Sequence, residues 1–272
     1  MKRLLVWLAA AGMLAMSHPS TSGASGNPLR VVATLSTFAD LAKTIGGEHV
    51  EVETVAPPRF NPHFIEPRPS DVRRVKRADL LVHAGLDLEL WRGPLVDAAG
   101  NRRVFPGAEG ELDLSRGIPL LEVPDRAPTR AEGDIHLYGN PHYWLDPENG
   151  KRMAQAICDK LCLMDPAHEQ AYHRNLRDLL DQLNRKIPEW KAQLARYQGN
   201  ELVGYHNAWP YLMGFAGLTM RHFLEPKPGI PPTPQQVAFL ERYIRERGIH
   251  VIVQPTYYGQ TAVASLASWP NK

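Results

Sequence analysis

The chain is predicted to be an α/β protein: two parallel-sheet α/β lobes joined by one long rigid helix. Three observations carry this. Short β-branched runs alternate with helical segments, the pattern of a parallel sheet covered on both faces. From Ala167 to about Tyr197, leucines together with Ile187, Trp190 and Leu194 keep helical spacing, a rod of roughly 45 Å at 1.5 Å per residue. Beyond Gly199-Asn200 the strand and helix alternation resumes, so the rod connects two similar halves.

The elements follow in order. Leu29 to Leu35 is apolar without alternation, the pattern of a strand buried on both faces, and Thr37 to Ile45 is a helix closed by Gly46-Gly47. Val50 to Ala56 gives a second strand, broken by Pro57-Pro58. Ser70 to Ala78 is helix, Asp79 to His83 strand, Leu88 to Ala99 helix with an interruption at Gly93-Pro94, and Arg103 to Phe105 a short fourth strand. From Pro106 to Tyr138 periodicity gives way to Gly, Pro and charge, a surface excursion with an extended piece at Ile118 to Val123. Asp146-Pro147 then opens a helix to about Leu163, with the cap, the preset φ of proline and Glu148 at the positive dipole end. Asp165-Pro166 repeats that start for the rod, whose bend is expected at Pro188. Afterwards come strand Glu201 to Gly204, helix Trp209 to Ala216, strand Thr219 to Leu224, a proline-rich connection, helix Thr233-Pro234 to Arg247, strand Ile249 to Val253 and one short helix-like piece.

Residues 1–26 form a signal peptide by pattern: basic Lys2 and Arg3, an apolar run from Leu4 to Met16, and small residues from Ser17 to Gly26. The run is well short of the ~20 residues that span a bilayer, and no cysteine lies near the cleavage region. The mature chain is expected to be soluble and extracytoplasmic or periplasmic. Its domains are read as a first lobe over 27–163, a linking helix over 164–198, and a second lobe over 199–272 that looks incomplete. The 31 Lys and Arg and 29 Asp and Glu residues give a net charge of +2 and are interspersed. The cluster Arg73, Arg74, Lys76 and Arg77 has helical spacing and reads as a solvated face, so no nucleic-acid partner is expected. Cys158 and Cys162, four apart on one helix, are poorly placed for a disulfide and read as core thiols rather than ligands.

The histidines carry the chemistry. Asn140-Pro141-His142 stands just before the Asp146-capped helix, and the same tripeptide recurs as Asn61-Pro62-His63 before the helix that begins near Ser70 and Asp71. His206 follows Leu202-Val203-Gly204, a strand end. Three histidines, each in a loop beside a regular element and at the C-terminal side of strands where open parallel sheets place their crevice, suggest one shared site. Imidazole nitrogen from separate loops suits a borderline divalent ion, Zn²⁺ first and Cu²⁺ or Ni²⁺ on affinity alone. His49, His83, His136, His168, His173, His222 and His250 have no comparable placement.

The stretches Asn61 to Asp71, Ala78 to Glu89, Asn140 to Pro147 and Gly204 to Tyr211, in this order, resemble the zinc/manganese solute-binding proteins of ABC importers, the ZnuA-like or TroA-like group. The resemblance runs from about Leu29 to Gln260. It implies two α/β lobes joined by a long helix, a metal in the cleft between them, and delivery to an ABC transporter membrane permease by a monomeric protein that is not an enzyme. By motif match, His63 and His142 take the first-lobe ligand positions and His206 the second-lobe position. Manganese-type members usually place a carboxylate where His206 stands, so the resemblance leans to Zn²⁺ over Mn²⁺. Two departures accompany it. Gln254-Pro255 stands where members carry Glu-Pro, with no later aspartate to complete the metal sphere, which leaves water as the expected fourth ligand. The region 107–138 holds only His136, so no histidine-rich scavenging loop is expected.

Two rival readings use the same residues. Three histidines plus water also form a catalytic zinc sphere, as in a hydrolase or hydratase, but there is no HExxH and no carboxylate set beside the ligands as a base. A metal-binding adhesin or metallochaperone fits the same lobes.

Overall fold

A computed structural model of the chain describes residues 27–125, 136–225 and 229–259. The signal peptide, part of the excursion at 126–135, part of the proline-rich connection at 226–228 and the helix-like piece after Gly259 lie outside the described residues.

The first sheet is all parallel, in the order β2 (Val50–Thr54), β1 (Leu29–Ala33), β3 (Leu80–His83), β4 (Glu111–Asp113). Val31, Val32, Ala33, Leu80, Leu81 and Val82 on the two central strands are all buried, which is why their sequences run apolar without alternation. Between strands stand α1 (Ser36–Gly46), α2 (Pro69–Arg77) and α3 (Arg92–Ala99). Pro94 lies in the first turn of α3, where a missing N–H costs nothing, so α3 begins later than expected and runs without interruption.

The fourth strand corrects the expectation. Residues 102–104 form a single 3₁₀ turn, because the Asn101 side chain accepts from the Arg103 N–H and turns the chain. The Asn101 amide donates to the carbonyls of Val75 and Ala78, tying that turn to the end of α2. The strand instead starts at Glu111, after Gly110, where an added Cβ would run into the Asp79 carbonyl. A closely approached backbone selects glycine there.

Two helices follow. In α4 (Pro147–Met164) Asp146 accepts from the Glu148 N–H and Pro147 stands at the first position, as the sequence requires. The rod is α5 (Glu169–Leu194), 26 residues that continue through Pro188, about 39 Å long. One apolar core joins the first sheet to α1, α4 and the first half of α5 through Phe38, Ile45, Ile157, Leu161, Tyr172 and Leu176.

The second sheet is also parallel, in the order β6 (Thr219–Phe223), β5 (Glu201–Gly204), β7 (Ile252–Val253). It carries α6 (Pro210–Ala216) and α7 (Pro234–Arg247), the latter capped by Thr233 and ended by Gly248 in the left-handed region. Its core is a separate, smaller cluster of Val203, Leu224, Leu240 and Ile249. Tyr211 on α6 packs into the first core instead, so α6 spans the two lobes.

Candidate metal centre

The repeated Asn-Pro-His is one turn used twice. Asn61 Oδ1 accepts from the His63 N–H at 3.0 Å, and Asn140 Oδ1 accepts from the His142 N–H at 3.0 Å. Each is an Asx turn, in which the short side chain bonds the backbone two residues on and fixes the direction of the histidine. The first turn follows β2 and is held by Trp91 Nε1 donating to the Pro62 carbonyl at 2.8 Å. The second is held from below by Tyr143, whose hydroxyl donates to the Ala84 carbonyl at the end of β3, at 2.7 Å. His206 follows β5 at Gly204, where a side chain would collide with Met220 and Phe223 of β6.

These three histidines converge. His63 Nε2 and His142 Nε2 are 3.1 Å apart. Ring centroids are separated by 5.1 Å for His63 and His142, and by 5.3 Å for each of these with His206. One nitrogen from each ring lies within 4.8 Å of the others; nitrogens about 2.0–2.1 Å from one tetrahedral ion stand about 3.4 Å apart, so the His63–His142 pair is already at that spacing and a short approach of His206 completes it.

The outward nitrogens are fixed by partners. His142 Nδ1 lies 3.0 Å from Asn140 Oδ1, and His206 Nδ1 lies 2.6 Å from Glu225 Oε2. Because an amide oxygen and a carboxylate only accept, both rings donate from Nδ1 and present Nε2 with its lone pair to the centre. His206 Nε2 is buried with no hydrogen-bond partner. A buried orphan nitrogen is costly unless a ligand takes it. Burial, then the neighbouring imidazoles, hold His63 and His142 well below the ordinary histidine range, so both are neutral and competent as ligands at pH 7.

The structure adds His136, which sequence spacing left without a partner. Its ring stacks on His63 at 5.1 Å, its Nδ1 lies 2.8 Å from Asp87 Oδ1, and its buried Nε2 has no hydrogen-bond partner. Asp87 holds a left-handed φ of 55° beside Leu86 at 50°, a conformation non-glycine residues adopt at a cost. No local signal could have found this: His136 is 49 residues from Asp87 in sequence.

The two lobes meet over the same atoms. Glu122 Oε2 accepts from Asn140 Nδ2 at 2.9 Å and from Asn207 Nδ2 at 2.8 Å, and Asn140 Nδ2 also donates to the Asn207 carbonyl. Tyr211 donates to the Asn140 carbonyl and accepts from the Leu121 N–H. A cavity lined by Phe60, Pro62, His142, Trp144, Trp209 and Tyr257 opens beside the cluster.

Comparison with known proteins agrees with this architecture. Residues 31–269 match the family model described as zinc-uptake complex component A, periplasmic. The chain is 27% identical over 252 residues to the manganese ABC transporter substrate-binding lipoprotein PsaA of Streptococcus anginosus, covering 89% of this chain and 77% of the relative. It is 29% identical over 277 residues to the metal ABC transporter substrate-binding lipoprotein FimA of Streptococcus parasanguinis, covering 96% and 82%. A crystal structure of ZnuA superposes with a TM-score of 0.76 at 23% identity, covering 89% of this chain and 88% of that one, a likeness of fold.

Proposed function

Since the chain belongs to the family of periplasmic component A proteins of zinc-uptake complexes, we propose that it captures Zn²⁺ between its lobes on His63, His142 and His206. It is a metal-binding, substrate-binding protein of an ABC importer, it works with a membrane permease, and it is not an enzyme. The metal is cargo. The observation that carries the zinc reading is the donor set: among the described residues, three imidazoles converge with no carboxylate among the converging atoms. Nitrogen donors favour zinc, whereas manganese favours oxygen. His136 stacks on His63 at the edge of the cluster, outside the converging atoms, and water keeps the fourth position in this reading.

Zinc entering this cluster meets rings whose orientations Asn140 and Glu225 have already set, so little reorganisation opposes binding. Glu122 and Tyr211 hold the lobes over the ion. Release then requires the clasp between Asn140 and Asn207 to open, a step that docking on the permease would drive. The reading includes a first lobe over 27–163, a linking helix over 164–198 and a second lobe from 199 onward, acting as a monomer outside the cytoplasm. Among the described residues no helix is long and apolar enough to cross a membrane.

The test is calorimetric titration of the metal-stripped chain with Zn²⁺ and with Mn²⁺, each against a competing chelator. One zinc per chain, held more tightly than manganese and lost in His63→Ala and His142→Ala, is expected. Manganese binding as tight as zinc would overturn the choice of metal. Zinc binding unaffected by either change would overturn the site.

A further inference from the structure

A second group of metal-binding side chains lies away from the interlobe cleft, where α4 packs on α5. Cys158 and Cys162 stand one helical turn apart on α4 with their sulfurs 3.9 Å apart. From α5, the ring of His173 faces both: Nδ1 is 3.6 Å from Cys158 Sγ and Nε2 is 3.8 Å from Cys162 Sγ. Glu169, one turn before His173 on the same helix, brings Oε1 to 3.4 Å from His173 Nε2. We propose that Cys158, Cys162 and His173 form a second metal site for a thiophilic d¹⁰ ion of the Zn²⁺, Cd²⁺ or Cu⁺ class, with Glu169 as the carboxylate at its solvent edge.

Geometry supports this ion class. With metal–sulfur bonds of about 2.3 Å and metal–nitrogen bonds of about 2.0–2.1 Å, a tetrahedral ion sets its sulfurs about 3.8 Å apart and sulfur from nitrogen about 3.6 Å apart. The sulfur–sulfur separation of 3.9 Å and the 3.6 Å between His173 Nδ1 and Cys158 Sγ are close to these values, and a turn of the half-exposed His173 side chain brings the one coordinating nitrogen toward Cys162 Sγ as well. A single ion takes one nitrogen of His173, and one ligand atom from each of the three residues lies within 4.8 Å of the others. Both cysteines are free, and at 3.9 Å their sulfurs are far from the roughly 2.05 Å of a disulfide.

Access and charge are also suitable. Cys158 is buried and Cys162 half-buried, whereas the side chains of His173 and Glu169 are 41% and 55% exposed, so the site is closed on the core side and open on one edge. Burial, with Cys162 and the nearby acids Asp159 and Glu169, pushes the Cys158 thiol up to about 12, and burial raises Cys162 as well. The unoccupied pair therefore stays protonated at neutral pH, and binding releases two thiol protons while the surrounding negative potential favours the cation. Soft ions that compete well with protons for sulfur are selected over hard ones. An ion here would staple the long connecting helix to the first lobe.

The experiment uses the reduced mature chain carrying His63→Ala and His142→Ala, so that zinc bound between the lobes does not interfere. Cadmium, cobalt as the zinc probe, and Cu⁺ are titrated separately, and thiolate-to-metal charge-transfer absorbance is followed in the near ultraviolet. One equivalent is expected to develop the band with cadmium, and the probe that binds tightest identifies the ion. The band should vanish in Cys158→Ala and Cys162→Ala, and His173→Gln, on the exposed face, should weaken binding at least tenfold with unchanged circular dichroism. Absence of charge transfer with all three probes in a folded chain overturns the site, as does a band indifferent to His173→Gln. So does a thiol titration of the denatured, unreduced chain that finds the two cysteines already joined.

Discussion

His206 Nδ1 and Glu225 Oε2 lie 2.6 Å apart, both residues buried, at the ends of neighbouring strands β5 and β6. Glu225 is further held by the Gly229 N–H donating to its other oxygen at 2.9 Å. The carboxylate holds the His206 ring in the orientation that aims Nε2 at the centre of the cluster. Glu225→Gln keeps the shape and removes the charge. Zinc affinity is expected to fall by about 10–100-fold, the usual effect of losing such a partner, with one-to-one stoichiometry retained in the calorimeter.

Individual ligands should matter more than their supports. His63→Ala, His142→Ala and His206→Ala are each expected to lower zinc affinity beyond the roughly 100-fold ceiling of supporting residues. His136→Ala, which removes the stacked ring at the edge of the cluster, should cost about tenfold by the same scale. Competition with a chelator of known affinity ranks the four.

The pH response follows from the two depressed histidines. In the unfolded chain His63 and His142 take protons near pH ~6.5, but in the fold burial and their neighbours keep them neutral until a lower pH. The unfolded state therefore binds more protons between those two points, and stability rises with pH across that window. The metal-free protein is expected to lose stability as pH falls through the ordinary histidine range and below it. At His63 and His142 zinc competes with protons only at the depressed folded values, so the loss of affinity on acidification from these two ligands should set in below pH ~6.5. Thermal melts and zinc affinities at pH 5.5 and 7.5 check both; a metal-free melting temperature that rises on acidification would contradict the assignment.

Glu122 ties Asn140 to Asn207 across the lobes and sits at a φ of 54°. Removing it by Glu122→Ala breaks two hydrogen bonds, one part-buried and one exposed, each worth about two- to tenfold in affinity. The loss should appear as faster zinc release to a chelator in stopped flow, with little change in capture.

Phe38 is fully buried on α1 and packs edge-on against Trp144 at 6.0 Å, and Trp144 in turn lies 5.3 Å from the His142 ring. Phe38→Ala is expected to destabilise the chain by about 3–5 kcal/mol through lost burial and a cavity. Denaturant unfolding measures that, and a companion zinc titration should show weaker binding because the wall behind His142 is lost.

Much of this was legible in the sequence because it is local. Asp146-Pro147, Thr233-Pro234 and Gly248 mark helix ends by chemistry that acts over three or four residues, and the apolar runs of β1 and β3 mark central strands by burial on both faces. The Asn-Pro-His repeat announced two histidines with fixed directions, since each Asx turn closes within its own tripeptide. The misplaced fourth strand shows the limit: Arg103 to Phe105 is more apolar than Glu111 to Asp113, yet the choice between them was made by Asn101 reaching α2 and by Gly110 fitting under Asp79.

What the sequence determined by itself was therefore the alternation of elements, the long helix and the loop positions of His63, His142 and His206. What only the tertiary structure decided was company. It set His136 against His63, Glu225 behind His206, Glu122 between two asparagines, and His173 across the sulfurs of Cys158 and Cys162. Those pairings span 11 to 85 residues of chain, and their geometry is fixed by how helices and sheets pack, a property no short stretch of sequence carries.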